Sequence, residues 1–433
     1  MRIDQKISEF VTDGFMNLFT KRGTSKDRNT HTFFAWKGIF NPQMNLQIYN
    51  GDGIGSDIVD IYASDTTREW IKINEDEDNE ILNSMDNIST KEAMKNSIRW
   101  AYATGAGVIY VGADDGEEDP RMPLNEGNLR SIKFLKVYNR AQVEKDHTLI
   151  DNDPFSETFG LQEFYTINPT QGSAFEVHRS RIIEVPGKIT DDDTWSANGY
   201  FHLSIYQKVF DRLAGLNEGY CAASDTLQEY VITVLKMAGL FQHMKTKGGE
   251  QEVINRLNIL DMSKHSLNSY AIDADSNESI ERLSTTLSGF AEVLEKLEDS
   301  VSTAAQIPPI RLFNRPSRGL SGDNDNELRM HYDNMHSVQE EKLLDPLKRI
   351  CYLIQISREG PTNGEFDENK TIQFNTLWQE TNEEKAKNFK TTAEADGIYI
   401  SYGADAEAII EARYKDQVDI QTDQAFEGSE ADG

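Results

Sequence analysis

Seven apolar residues, Leu283, Leu287, Phe290, Leu294, Leu297, Val301 and Ala304, recur in strict alternation of four and three. That 3.5-residue period lays one continuous apolar stripe along a helix. Ser284, Glu292, Glu295, Lys296 and Asp299 fall off it. Pro308-Pro309 ends the helix, because proline has no N–H to give to the preceding turn. A stripe this regular must be covered. Its spacing is met by packing on its own domain and equally by lateral packing on other helices, within or between chains.

The segment after the stripe, IPPIRLFNRPSRGLSGDND, is built of turn residues with further breakers at Pro316 and Gly319. It carries Arg311, Arg315 and Arg318, and no acid lies between Asp299 and Asp323. This basic island stands in a chain of 44 Lys+Arg against 73 Asp+Glu, a formal net charge of −29. Such acidity argues against a protein that clamps DNA and against attachment to an anionic membrane surface. A weaker basic bias lies in Lys236, Lys245, Lys247, Arg256 and Lys264. If helices frame a passage for a polyanion, these are the groups expected to face it.

The 433 residues suggest about two to four domains. The start, MRIDQKISEF, lacks the apolar stretch of a secretory signal, and the longest apolar runs fall far short of a bilayer span. Cys221 and Cys351, without ligand spacing around either, are expected to be buried free thiols.

Along the chain, helical patterning is predicted over Ile7–Phe19 and from Asp52 into a short strand at Trp70–Ile73. Thr90 is placed to cap a helix running to Tyr102. Gly105–Ala113 reads as a buried strand, with further strands at Ser131–Tyr138, Glu163–Ile167, Glu176–His178 and Arg181–Val185. The first 200 residues are therefore an α+β domain. From Leu203 to Lys245 the period turns helical, with Leu227, Val231, Val234, Ala238 and Phe241 on one face. Helix at Glu250–Leu260 and strand at Ser269–Ile272 follow. After the heptad segment a long helix is expected from Asn326 to Ile356, bent at Pro346. A strand at Thr371–Leu377 and helices at Glu380–Ala395 and Ala404–Tyr414 come next. The acid-rich end from Asp419 reads as a disordered, solvating tail.

No P-loop, G-x-G-x-x-G or nucleophile elbow occurs. The acidic runs Asp114–Asp119 and Asp191–Asp193 do not fit the EF-hand pattern and read as solvated loops. His178-Arg-Ser-Arg181 could hold phosphate, but a strand end with a satisfied histidine is the commoner outcome. The other histidines, His331 and His336 among them, form no i, i+4 ligand pair. No cofactor is called for. Two readings rival a structural one. The first is a metal-dependent phosphoesterase or nuclease using Asp114, Asp115 and Asp119. The second is an interaction scaffold built on the heptad helix.

Several segments, taken in order, resemble the portal proteins of tailed bacteriophages. They are Asp13–Leu18, Tyr49–Ile73 ending in TTREWIKI, Arg99–Asp115 (RWAYATGAGVIYVGADD), Lys133–Val137, Phe175–Gly187 (FEVHRSRIIEVPG) and Val231–Leu240. Leu283–Ile350 adds LSGFAEVLE, IPPIRLF, the Arg-Gly-Leu-Ser-Gly loop and HYDNMHSVQEEKLLDPLKRI. One departure is Asn314, where the resemblance leads one to expect glycine.

The resemblance implies a portal fold: an α+β wing, two channel-lining stem helices, a small α/β clip, a helical crown and a disordered acidic tail. On this sequence the wing is residues 1–220 and 326–377, and the stem helices are 221–245 and 283–306. The clip is 246–282, the tunnel loop 307–325, the crown 378–414 and the tail 415–433. It further implies a dodecameric homo-oligomer at one capsid vertex of the virion, made in the host cytoplasm, with no enzymatic activity of its own. Double-stranded DNA would pass through it without being read in sequence. Its partners would be the terminase large subunit, the major capsid protein or scaffold, and a head–tail adaptor, with no membrane.

Carried onto residues, Arg311, Arg315, Arg318, Lys236, Lys245 and Lys247 would face the DNA. Leu283, Leu287, Phe290, Leu294, Leu297 and Val301 would pack the stem. Arg256, Asn258, Lys264 and Tyr270 would lie in the docking clip. The acidity then acquires a role: a wall of −29 per subunit repels a sliding duplex and keeps counterion release, hence friction, low.

Overall fold

The computed structural model describes residues 38–403, with isolated positions at 406 and 409. It omits 77–78, 147, 157, 229–230, 285–288, 316–322, 379–381 and most of 237–278. The expected helices at Ile7–Phe19 and Ala404–Tyr414, the strand at Ser269–Ile272 and the acidic tail lie largely or wholly outside the described residues.

Helices and strands are mixed, and the chain divides into two compact units, 1–375 and 376–433. The first begins with α1 (Pro42–Gly51), set by proline in its first turn and by the Asn41 side chain, which accepts from the Gln43 N–H. Asp52 caps α2 (Gly53–Thr66). After β1 (Ile71–Ile73) come α3 (Glu80–Asn87) and α4 (Thr90–Thr104). Ser89, not Thr90, holds the cap position of α4, and the Thr90 hydroxyl donates instead to the Met85 carbonyl, 2.8 Å away.

The run Gly105-Ala-Gly107 is explained by packing. Gly105 closes α4 with φ of +103°, a left-handed conformation that glycine accepts freely. A Cβ on Gly107 would sit 2.0 Å from the Ser97 carbonyl oxygen, so only glycine lets β2 (Ala106–Asp114) lie this close to α4. β2 is the centre of an antiparallel sheet between β3 (Ser131–Asn139) and β7 (Ile182–Pro186). Val108 faces Tyr138 on one side and Glu184 on the other. A second antiparallel sheet joins β4 (Val143–Lys145), β5 (Phe164–Ile167) and β6 (Phe175–His178). Ala106, Val108, Tyr138, Val143, Ile167, Val177 and Phe201 form their shared core.

A short α5 (Asp192–Ala197) leads to α6 (Tyr206–Gln228). Here the sequence period misleads. The helix stops at Gln228, and Val231–Lys236 is a strand, β8, paired antiparallel with β9 (Ser279–Ser284). Val231, Ile232, Thr233 and Val234 are β-branched, and the ladder to a segment some fifty residues away overrides a spacing that also fitted a helix. Leu283 is paired with Ile232 in that hairpin, so it does not begin the heptad helix. Leu287 lies outside the described residues.

The heptad helix is α7 (Phe290–Ala305), opened by Gly289 with φ of +85°. Its stripe faces α6 of the same chain. A Cβ on Gly219 would lie 2.6 Å from Leu297 Cδ1 and 3.3 Å from Leu294 Cδ2, and the Tyr220 hydroxyl donates to Glu298 over 2.8 Å. Val301 and Ala305 are fully buried. The Cys221 thiol is exposed on α6, contrary to expectation, because this part of α6 is covered on one face only; Cys351 is buried as expected.

A single-turn α8 (Pro309–Leu312) precedes α9 (Asp323–Val338). A π turn, Gln339–Leu343, links α9 to α10 (Leu344–Gln355). The break expected at Pro346 is this π turn. Proline can neither donate to the Lys342 carbonyl nor fit against it, and the wider turn removes both conflicts. β10 (Ile372–Phe374) returns to pair with β1. In the second unit the described element is α11 (Asn382–Ser401), a few residues longer than expected. Among the described residues no helix is long and apolar enough to cross a membrane.

Candidate functional site

The arginine segment starts at the end of α7. Gln306 closes that helix with φ of +58°, and Pro308 and Pro309 turn the chain into α8. Asn314 has φ of +52°, the left-handed conformation that glycine would take; asparagine is among the side chains that tolerate it best.

Arg311 is held at the base of the loop. Its Nε and Nη2 donate to the two oxygens of Asp65 on α2, at 3.0 and 2.8 Å. Asp65 Oδ2 also accepts from His331 Nε2 on α9, 2.9 Å away. Burial alone would raise the Asp65 carboxyl, but the hydrogen bonds from His331 and Arg311 outweigh it and hold it below the ordinary carboxylate range. The bond to Asp65 in turn raises Arg311 further. Since the Asp65 side chain is only 4% exposed, taking Arg311 away to a phosphate would strand a buried charge. Its guanidinium is therefore committed to Asp65 within the fold.

Arg315 is placed differently. Its Nη2 lies 2.5 Å from Asp299, and Nη1 lies 3.4 Å from Glu298 and 3.7 Å from Glu295, all on α7. The side chain keeps 25% of its exposure. Three carboxylates thus answer one guanidinium, and none of the pairs is dry. Arg315, Glu295 and Asp299 edge a groove of about 1010 Å³ between α7 and α9, into which Glu292, Lys296, Glu327 and His331 also open. The i, i+3 and i+4 spacing of Glu295, Glu298 and Asp299 was readable in the sequence; that they would collect Arg315 was not.

The remaining expected site residues divide plainly. Arg318, Lys245, Lys247, Arg256, Lys264 and Tyr270 lie outside the described residues. Lys236 ends β8, and Asn258 is helical and exposed. Phe290, Leu294 and Leu297 are half-buried on α7.

The acidic run after β2 has its cations built in. Asp115, fully buried, accepts from Arg181 Nη2 at 2.6 Å and from the Asn125 N–H at 2.9 Å. Asp114 meets Lys133 at 2.9 Å and Asp119 meets Arg121 at 2.8 Å. Those bonds lower the Asp114 and Asp119 carboxyls. His178 caps its own turn, its Nδ1 accepting from the Ser180 N–H at 3.2 Å. Among the described residues no three His, Cys, Asp or Glu side chains are grouped to hold a metal ion. Asp191 caps α5 by accepting from Thr194 N–H. Asp65 and His331 are the residues that sequence reasoning missed: 266 positions separate them, and no motif links them.

Comparison with known proteins adds the following. The family model described as phage portal protein matches residues 43–398. Two curated relatives are named anti-CBASS protein Acb1. The one from Caulobacter sp. (strain RHG1) is 26% identical over 407 residues, 90% of this chain and 63% of that protein. The one from Sphingomonas paeninsulae is 23% identical over 352 residues, 78% of this chain and 55% of that protein. The chain thus spans little more than half to two thirds of their length. Among solved structures, a chain of the neck of a native gene transfer agent particle, computed with twelvefold symmetry, is 13% identical. The match covers 85% of this chain and 91% of that one at a TM-score of 0.46. An HK97-family phage portal protein from Corynebacterium diphtheriae is 9% identical, with 76% of this chain and 94% of that one covered at a TM-score of 0.39.

Proposed function

The chain belongs to the phage portal protein family, and from that premise we propose that it forms a ring at a capsid vertex through which the genome enters and leaves. The observation that carries this is the family match over residues 43–398, which takes in the wing sheets, α7 and the whole arginine loop. Terminase, head–tail adaptor and capsid would be its neighbours, and its own role would be structural.

The electrostatics of the loop support a conduit more than a clamp. A free arginine on each subunit would grip the duplex, because every phosphate neutralised releases counterions and adds affinity. Arg315 is instead already neutralised by α7, so a passing phosphate must compete with three carboxylates and gains little. We assign the DNA-facing role to Arg315 and Arg318 and withdraw Arg311, which the buried Asp65 retains. Lys236, Lys245 and Lys247 keep that role as part of the proposal, and Arg256, Asn258, Lys264 and Tyr270 keep the docking role.

The curated relatives carry a different name, and because more than a third of each lies outside the match, no activity is carried from them to this chain. A metal-dependent phosphoesterase is the weaker reading, because each acid it would use is already bound to a cation of the wing.

Light scattering and negative-stain microscopy of the purified chain test the proposal. Rings of about twelve copies of the 49.1 kDa chain with an open centre wide enough for a duplex are expected. Arg315→Glu with Arg318→Glu should leave ring formation intact and impair packaging or genome retention. Normal packaging by that double variant would refute the loop assignment. A chain that stays monomeric both alone and with its capsid proteins would refute the ring.

A further inference from the structure

A small cavity lies where β7, the end of α7 and the π turn meet. Lys188, just past β7, sits over the stacked rings of Tyr62 and Tyr102, its Nζ 5.5 and 5.3 Å from their centroids. Lys342, from the π turn, places its Nζ 5.9 Å from the same Tyr102 ring. Both lysines and Tyr102 line the cavity, which has a volume of about 220 Å³.

Of the two lysine charges in this cavity, that of Lys342 is met by Glu341, which also lines it, and that of Lys188 is not met by any acid among the described residues. Lys188 Nζ donates to the neutral amide oxygen of Gln306 at 3.2 Å, and among the described residues no carboxylate lies within ion-pair distance of it. An ammonium has three donors, so two remain. Lys342 spends two donors on the Pro186 and Gly187 carbonyls, at 3.0 and 2.6 Å; its carboxylate neighbour, Glu341, stands 3.6 Å off and half exposed. Burial, then the charge of Lys342, depresses the Lys188 ammonium, as two cations sharing a pocket must. The third feature is independent of these. The Tyr102 hydroxyl is fully buried and has no hydrogen-bond partner. A buried orphan donor in a native fold calls for an occupant that the protein itself does not supply.

We propose that this cavity binds a phosphate-type oxyanion, held by the two free donors of Lys188 and the Tyr102 hydroxyl, with the Lys342 ammonium adding positive charge beside it. A tetrahedral oxyanion presents several acceptors and matches a cavity in which Lys188 and Tyr102 both keep unspent donors. Because the Tyr62 hydroxyl donates to Ala305 and Gln306 caps α7, the bound anion would fasten the root of the arginine loop to the wing. The site does not depend on the portal reading. Its anion could be free phosphate or a phosphodiester of nucleic acid.

The test is calorimetric titration of the full chain with inorganic phosphate in phosphate-free buffer at constant ionic strength. Saturable one-to-one binding per chain is expected. Tyr102→Phe, which keeps the ring stack and removes only the orphan hydroxyl, should weaken it about tenfold with unchanged thermal unfolding in the absence of phosphate. Lys188→Gln should weaken it at least as much, and if that variant fails to fold, Tyr102→Phe alone carries the test. A short duplex that displaces bound phosphate identifies the ligand as a nucleic-acid phosphate, and one that leaves it bound identifies the free ion. No saturable binding to the wild type, or unchanged affinity in Tyr102→Phe, overturns the proposal.

Discussion

Arg181 beside the β2 sheet and Arg315 in the loop both answer acids, yet they do opposite things. Arg181 is 3% exposed and faces an Asp115 that is fully buried, one cation to one anion, with backbone donors completing the carboxylate. Arg315 is 25% exposed and faces three acids on one helix, none of them buried. The first pair cannot be opened without leaving a charge in the core. The second can exchange its partners for water or another anion at small cost. Beside the β2 sheet, then, charge fixes structure, and at the loop it remains exchangeable. Arg311 lies between the two, one third exposed but tied to a buried aspartate.

The comparison predicts a graded series. Arg181→Met should lower unfolding free energy by about 3–5 kcal/mol in urea denaturation, because Asp115 loses its counterion. A loss under about 1 kcal/mol would mean that the two arginines do not differ in kind.

Asp65→Asn should cost about 2–3 kcal/mol, less because the freed Arg311 can hydrate. It carries a pH signature as well. The folded carboxyl titrates below its unfolded value of about 3.9, so its contribution is present above that pH and lost as pH falls through the folded value. Wild-type stability should therefore fall more steeply than that of Asp65→Asn between about pH 5 and 2, and parallel melting curves would remove Asp65 from the argument.

Arg315→Gln should change stability by about 1 kcal/mol or less in the same denaturation experiment, whatever it does to DNA passage. The smallest effect is that of salt. Raising ionic strength from about 0.1 to 1 M should erase the Arg315 difference and leave the Arg181 difference nearly whole.

Much of the scaffold was legible in the sequence. The run Gly105–Ala113 was legible as a buried strand after a helix, Pro308-Pro309 marked the end of α7, and Pro346 marked the break that became a π turn. Each signal reaches only a few residues. The stripe of α7 was legible in period but not in partner, for Leu294 and Leu297 are taken up by α6 beside Gly219. Leu283 and Val231 fitted a helical spacing and became strand residues, because the ladder between β8 and β9 joins segments that local propensity cannot compare.

The charged sites lay further out of reach. Arg311 finds its aspartate 246 positions away, and Lys188 and Lys342 meet across one tyrosine ring. The sequence alone determined where α7 stops, where the later long helix breaks and that the chain is acidic overall. Which arginine is locked and which is exchangeable, and which two lysines gather beside Tyr102, was decided only by the tertiary structure. The strength of a charge pair depends on its distance and its access to water, and neither exists until remote segments have packed.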